Sequence, residues 1–596
     1  MRKAKLKLKV PLITLIVAII LLTSSVSTCA VSATEYPPPN TWENGRYYTP
    51  GQYGGTFRTA DIEPCEQINP DWSATSSMES AQVYSRLICF DYGVMYGIGY
   101  YGDLAKSWEI SPDFKVYTFH LYENATWHDG VPVTSADVKY TFETIMEKDY
   151  PANSYVLNRI ESIATPDEYT VVITLKKTDT SFMGALAMAG MWMLSILPKH
   201  LYEGTDWKTN PYNLHPIGSG PFKVEEFVPG EYTVFVANDN WFRGRPYIDK
   251  LIIEQVPDPV AGLNAFKAGK YDYVDNSYVP QWAEIADLNR TEGIRVTLSG
   301  WVYDLSILLN FRRKPFDNPL VREAIAYGIN RTEVRIKGFY GYYPETYWAI
   351  IPFFKQYINP NATFPDYNLT KAEELLDKAG YPIGPDGYRF HTTITNGPYP
   401  DDKVLAEMIT EQLRRLKIDV TWAMYDSATW VSKRNAGDFD ITCYWVNYCP
   451  DPSIFYRFFH SKGWSNYMGY YNQEVDELIE QSFVTTDEEQ RQEIWNKIQE
   501  ILVKDIAWIP IVNEMYFTFI REGWHGIPSE LPPDGGMGRS YTWFGFARVW
   551  YAAPTPSPAP TPSPWFTEPG FIIAIVIVIA VAAVGSWVAW KRTRRT

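Results

Sequence analysis

Cysteine, histidine and basic charge are all scarce in this chain. Five cysteines and seven histidines are spread over 596 residues. No H-E-x-x-H occurs, and Cys443 and Cys449 stand six apart, which is not metal-finger spacing, so the common zinc signatures are excluded. Lys and Arg number 54 against 69 Asp and Glu, a net charge of −15. Phosphate binding needs a basic field, so a nucleic-acid partner is not expected. The phosphate loop G-x-x-x-x-G-K-[ST] is missing, which excludes ATP hydrolysis by that route. A nucleophile elbow G-x-S-x-G is also missing, and Ser219 in Gly218-Ser219-Gly220 has no local catalytic signature. A glycosidase-type carboxylate pair is left open by the sequence. These absences favour binding over catalysis, with no cofactor and no metal expected.

What is present begins with the two ends. Arg2, Lys3, Lys5, Lys7 and Lys9 precede an apolar run over residues 10–22, and Val31-Ser32-Ala33 fits a cleavage signal, with Thr28-Cys29-Ala30 as a second option. This is the pattern of a signal peptide, residues 1–33, although retention as an anchor stays open. At the other end PTPSPAPTPSP fills residues 554–564, an apolar run fills 571–590, and Lys591, Arg592, Arg594 and Arg595 follow. About 20 apolar residues suffice to cross a bilayer as a helix, and the basic tail marks the cytoplasmic side. We therefore expect an extracellular body, a Pro/Thr/Ser stalk (551–569), a transmembrane helix (570–590) and a cytoplasmic tail (591–596).

In an oxidising compartment, Cys65 with Cys89 and Cys443 with Cys449 are candidate disulfides. Buried thiols are the alternative, and connectivity is open. Candidate glycosylation sequons begin at Asn124, Asn289, Asn330, Asn361 and Asn368. Hydrophobic content of 46% and charged content of 21% describe a globular chain, long enough for two or three domains. Aromatics reach 16%, which suits either ring-rich cores or a cleft lined for stacking.

Local patterns alternate between strand and helix, giving an α/β class. Strands are expected over 54–60, 116–121, 169–175, 251–256 and near Phe439-Asp440-Ile441, with a hairpin from 221–227 and 232–237 around Pro229-Gly230. Thr134 with Asp137, Thr370 with Glu373, and Thr486 with Glu489 read as capping boxes that open helices. Further helical faces run through Val321, Ala324, Ile325 and Ile329, and through Leu405, Met408, Ile409 and Leu416.

Specific blocks then occur in order. Leu104-Ala105-Lys106-Ser107-Trp108-Glu109 leads through Tyr117-Thr118-Phe119 to Trp127-His128-Asp129-Gly130 and Thr134-Ser135-Ala136-Asp137-Val138. Pro216-Ile217-Gly218-Ser219-Gly220-Pro221-Phe222, Trp241-Phe242-Arg243-Gly244, Val321-Arg322-Glu323-Ala324-Ile325 and Glu474-Val475-Asp476-Glu477-Leu478 follow. Over about residues 54–546 the chain resembles extracellular solute-binding proteins of family 5, the dipeptide and oligopeptide class of ABC importer receptors. Its stalk and terminal span look like those of archaeal members.

The resemblance implies a two-lobed, periplasmic-binding-protein-like α/β fold of the larger type II kind with an extra inserted domain. Lobe 1 would comprise 34–85, 214–299 and 509–550, with the small domain 86–213 inserted; lobe 2 would span 300–508. The crossings are expected near Leu308-Leu309-Asn310 and Ile509-Pro510-Ile511. A solute closing the lobes, an ABC permease and its ATPase subunits would be the partners.

In peptide-binding relatives a segment W-x-x-D-Y-x-[DE]-P supplies an aspartate for the peptide ammonium. Here it reads Trp445-Val446-Asn447-Tyr448-Cys449-Pro450-Asp451-Pro452, so Tyr448, or Asn447 after a one-residue slip, replaces that acid. Two ligands are therefore considered. The first is a peptide anchored by another acid such as Glu66 or Asp451. The second is an oligosaccharide held by Trp430, Trp445, Asn447, Tyr448, Trp464 and Tyr467. Asp451 also suits a turn cap before Pro452. A surface-anchored hydrolase and a surface-coat or adhesion protein are the readings from other classes.

Overall fold

The computed structural model describes residues 41–43, 46–48, 51–68, 77–90, 100–148, 156–192, 194–279, 282–350, 357–447, 451–526, 546–547 and 549–552. The chain divides into two compact units, Met1–Pro50 and Gly51–Thr596. In the first, Thr41–Glu43 and Arg46–Tyr48 form an antiparallel pair with Thr41 opposite Tyr48.

The second unit is organised by ten strands in one sheet. In chain order they are β1 (Thr56–Asp61), β2 (Phe222–Val228), β3 (Tyr232–Ala237), β4 (Lys250–Gln255), β5 (Tyr273–Asp275), β6 (Ile294–Leu309), β7 (Phe390–Asn396), β8 (Ile418–Met424), β9 (Ile441–Asn447) and β10 (Ile509–Arg521). Their spatial order is β2-β3-β4-β1-β5-β10-β6-β9-β7-β8. Strand β1 runs parallel to both β4 and β5, and β7 runs parallel to both β8 and β9. Each half of the sheet thus has its own parallel set.

The long strands β6 and β10 join the halves. They pair from Ile294–Arg521 to Gly300–Met515, and the register breaks between Gly300 and Asp304. Beyond the break Asp304 faces Asn513, whose side-chain amide donates to the buried Asp304 carboxylate. From Tyr303 onward β6 also pairs with β9. Near this junction Trp282 packs edge-on against Tyr343 (4.7 Å) and Phe339 (5.3 Å).

A separate four-stranded antiparallel sheet takes Ala105–Ile110, Val116–Leu121, Thr170–Leu175 and Ile160–Asp167 in that order. Tyr117, Phe119 and Leu121 alternate inward, as do Val171, Ile173 and Leu175. Helix Ser135–Lys148 buries Val138, Phe142 and Ile145. Its start is the expected capping box: Thr134 N–H and Oγ1 both donate to Asp137 Oδ2, at 2.8 and 3.1 Å.

The other two boxes are corrected. Helix Leu369–Lys378 is capped by Asn368, which accepts from Lys371 N–H (3.0 Å), and helix Glu488–Asp505 by Asp487, which accepts from Gln490 N–H (2.9 Å). In both, a short Asn or Asp side chain reaches the amide three residues on, opening the first helix two residues before Thr370 and the second one residue after Thr486.

Much of the aromatic excess is core. Trp495 and Trp508 are fully buried, and Phe455, Phe459 and Phe364 pack on them at 4.5–6.3 Å. Cys65 is a buried thiol whose Sγ donates to Gln67 O at 3.5 Å, so the candidate Cys65–Cys89 bridge is not made. The Cys443 thiol is also buried and is pushed up by that burial, while Cys449 lies outside the described residues. Among the described residues no helix is long and apolar enough to cross a membrane. The expected signal peptide, stalk and terminal span (571–590) lie outside them.

Candidate functional site

In open α/β sheets the crevice for a ligand lies beyond the carboxyl ends of the parallel strands. Here two such sets of ends exist, one in each half of the sheet.

The first set ends at Asn396, Met424 and Asn447 on β7, β8 and β9. A group of rings gathers there. Trp445, on β9, meets Tyr399 at 4.7 Å and Trp430 at 6.4 Å. Trp430 lies on helix Ser427–Asn435, which Asp426 caps, and its Nε1 donates to Thr442 Oγ1 at 3.1 Å. Tyr444 packs edge-on against Tyr467 at 5.6 Å. The Arg434 guanidinium sits between them, 4.6 Å from the Trp430 ring, 5.1 Å from Tyr444 and 4.4 Å from Tyr467. Three rings around one cation hold it by their negative faces. The enclosed Nε1 of Trp445 has no hydrogen-bond partner among the described residues, which leaves one donor in this wall unspent. Asn396 Oδ1 accepts from Trp422 Nε1 at 2.6 Å, fixing the neighbouring strand end. Behind the wall Asp402 is fully buried at the start of helix Pro400–Arg415, and burial holds its carboxyl well above the usual range.

The structure therefore brings Trp430, Trp445 and Tyr467 together. Trp464 stands apart: it is 50% exposed and its ring partners are Tyr456 and Arg457. Asn447 ends β9, while Tyr448 and Cys449 lie outside the described residues.

Asp451 is corrected as a ligand anchor. It is buried, both its carboxylate oxygens accept from Arg491 at 2.8 and 2.7 Å, and Oδ1 also caps Ser453 N–H. The Arg491 guanidinium already balances the charge of this buried carboxylate, so it offers little to an incoming ammonium. Glu66 is exposed over the turn at Gly230, beside the β2–β3 edge of the sheet, and is not brought together with these rings.

The second set of strand ends was missed in the sequence. The adjacent parallel strands β4, β1 and β5 end in Gln255, Asp61 and Asp275. Glu79 reaches them from helix Ser77–Val83. All four side chains are buried. Gln255 Nε2 donates to Glu79 Oε1 at 2.7 Å, and the Tyr516 hydroxyl donates to Asp275 Oδ2. Asp61 and Asp275 accept from the backbone N–H of Glu63 (3.1 Å) and Ser277 (2.9 Å). Burial and then the charge of Glu79 hold the Asp61 carboxyl well above its usual value, and burial raises Glu79 to about 7. The one available signal was that each of three strands ends on a polar side chain, as in TFRTAD, KLIIEQ and YVD.

A separate depression of about 390 Å³ lies against β10, lined by Arg335, Gly341, Tyr342, Pro344, Glu345 and Met515, and holds none of the residues expected from the sequence. Among the described residues no group of His, Cys, Asp and Glu could hold a metal ion.

Known proteins share this architecture. Heme-binding protein A of Haemophilus influenzae is 26% identical over 463 residues, covering 74% of this chain and 83% of that protein. A putative ABC transporter peptide-binding protein of Brucella ovis is 34% identical over 290 residues, 47% of this chain, which spans about half (52%) of that protein. The solved structure of the oligopeptide-binding protein AppA of Bacillus subtilis, in complex with a nonapeptide, superposes with a TM-score of 0.70 at 23% identity. That match covers 85% of this chain and 100% of AppA. Residues 99–467 match the family described as bacterial extracellular solute-binding proteins, family 5 (middle region). That match exceeds half of the sequence, and the chain belongs to the family 5 extracellular solute-binding proteins.

Proposed function

We propose that this protein is the peptide receptor of an ABC importer, held outside the cell and closing its two lobes on an oligopeptide or dipeptide without turnover. The observation that carries the reading is the pairing of two walls at strand carboxyl ends, one aromatic and one acidic, on the two halves of one sheet. Rings supply stacking and apolar area for side chains of any sequence, and buried carboxylates supply complementarity to cationic groups. The name of the Brucella ovis relative and the nonapeptide in AppA support a peptide over a sugar. A solute that touches both walls binds the closed arrangement better, and that difference in affinity drives closure.

Finer parts of the proposal rest on the sequence. Lobe 1 takes residues 34–85, 214–299 and 509–550 with 86–213 inserted, and lobe 2 takes 300–508. The leader (1–33) sends the chain out, and the span at 570–590 keeps it beside its permease. Glycans are carried at the sequon asparagines, of which Asn124, Asn289, Asn361 and Asn368 are exposed.

Titration calorimetry of the full-length chain against peptide and oligosaccharide panels is the test. Saturable heat from peptides alone is expected. Heat from sugars alone would replace the ligand class, and cleaved products from either panel would turn the receptor into a hydrolase.

A further inference from the structure

We propose that Asp61, Glu79 and Asp275, together with the side-chain amide oxygen of Gln255, form a subsite in the amino-terminal half that takes an alkylammonium group of the bound solute. The inference deepens the peptide reading and rests on it.

Position is the first argument. Asp61, Gln255 and Asp275 terminate three neighbouring parallel strands, where the crevice of such a sheet lies. The second argument is charge without compensation among the described residues. Asp61, Glu79 and Asp275 are 6%, 1% and 6% exposed, and the charged groups acting on Asp61 are Glu79, Asp275 and Glu63, all acidic. Enclosed carboxylates without a counter-ion are costly, and a cation entering among them removes that cost.

The third argument is independent of charge. Gln255 is more than nine-tenths buried and faces the same group, because its Nε2 donates to Glu79 Oε1. Its Oε1 is enclosed and has no hydrogen-bond partner among the described residues. A buried acceptor left without a partner is costly, so its presence calls for a donor. Once ionised, the carboxylate oxygens and the one amide oxygen make an acceptor-only surface. An ammonium offers three N–H donors and no acceptor, which is the complement. On the opposite wall Asp451 is committed to Arg491, so it does not compete for the cation.

An ammonium binds the ionised carboxylates, so at pH 6 its binding expels protons from the Asp61 and Glu79 pair. The other titratable groups facing this site are Asp61, Glu63, Cys65, Asp275 and Tyr516.

The test is calorimetry of the full-length chain with pentaalanine, N-acetyl-pentaalanine, an N-acetylated pentapeptide carrying a central lysine, and 1,5-diaminopentane. Pentaalanine should bind about tenfold or more tightly than its acetylated form, the value of one charge-assisted bond. Glu79→Gln should collapse that ratio to about twofold or less, and at pH 6 the parent should release more protons than the variant, read from the dependence of heat on buffer. The lysine peptide tells whether the ammonium comes from the amino terminus or a side chain; tight binding of either supports the subsite. Equal affinity of free and acetylated pentaalanine together with no gain from the lysine, or a preference for the ammonium unchanged in Glu79→Gln, overturns it while leaving the peptide receptor intact. If no peptide binds, the peptide reading fails. The diamine then decides the subsite: binding lost in Glu79→Gln sustains it and no binding overturns it. If Glu79→Gln does not fold, Asp61→Asn takes its place, and the parent's own free-to-acetylated ratio decides beside it.

Discussion

Removing one buried charge should make the ligand-free protein more stable, and only at the alkaline side of neutrality. Glu79 is almost completely enclosed, and burial raises its carboxyl from 4.5 to about 7. A folded-state value above the unfolded one means that the folded chain holds the proton more tightly. The resulting stability is fully present below about pH 4.5 and is lost as pH rises through 7. Between pH 5 and pH 8 linkage gives a loss of about 2.5 kcal/mol from this group alone. Asp61, Asp275 and Glu63 face it, and the charge of Glu79 helps raise Asp61. Glu79→Gln keeps the shape and can still accept from Gln255 Nε2. At pH 5 the variant should lie within about 0.5 kcal/mol of the parent, and at pH 8 it should be more stable by about 2 kcal/mol. Urea denaturation at both pH values, without peptide, measures the difference. A variant that is less stable than the parent at pH 8 would show that a counter-charge balances Glu79, and the account of the acidic wall would be wrong.

Other consequences concern the aromatic wall and its support. Arg491→Ala strands the buried Asp451 carboxylate and should cost about 3–5 kcal/mol in chemical denaturation at pH 7; a loss below about 1 kcal/mol would contradict the buried pair. Trp445→Ala removes the ring facing Tyr399 and should weaken peptide binding about tenfold while the circular dichroism spectrum stays native; unchanged affinity would displace the cleft from this strand end. Arg434→Ala empties the space between Trp430, Tyr444 and Tyr467, and should lower stability by about 1–2 kcal/mol in thermal unfolding.

Local chemistry was legible in the sequence wherever partner residues are close along the chain. The Thr134–Asp137 box, the alternation from Tyr117 to Leu121 and the turn at Gly230 all close within a few residues, and the structure contains each. The cap at Asn368 was read too late and the one at Asp487 too early, because a threonine nearby offered the same pattern and only geometry ranks the two. Distance along the chain hid the rest. Asp451 looked free because its partner Arg491 lies 40 residues on. The acidic wall collects positions 61, 79, 255 and 275, whose adjacency follows from a sheet order that no local pattern encodes. Trp430 and Trp445 were found together because their segments stand close in sequence, whereas Tyr399 joins them only through packing.

The central claim is that two walls of one sheet close on an intact peptide. Native mass spectrometry of the full-length chain, incubated with a mixed peptide library and then released by denaturation, tests it most directly. One peptide per chain, recovered uncleaved, is the predicted result. A chain that retains no peptide, or that returns shortened products, would contradict the account.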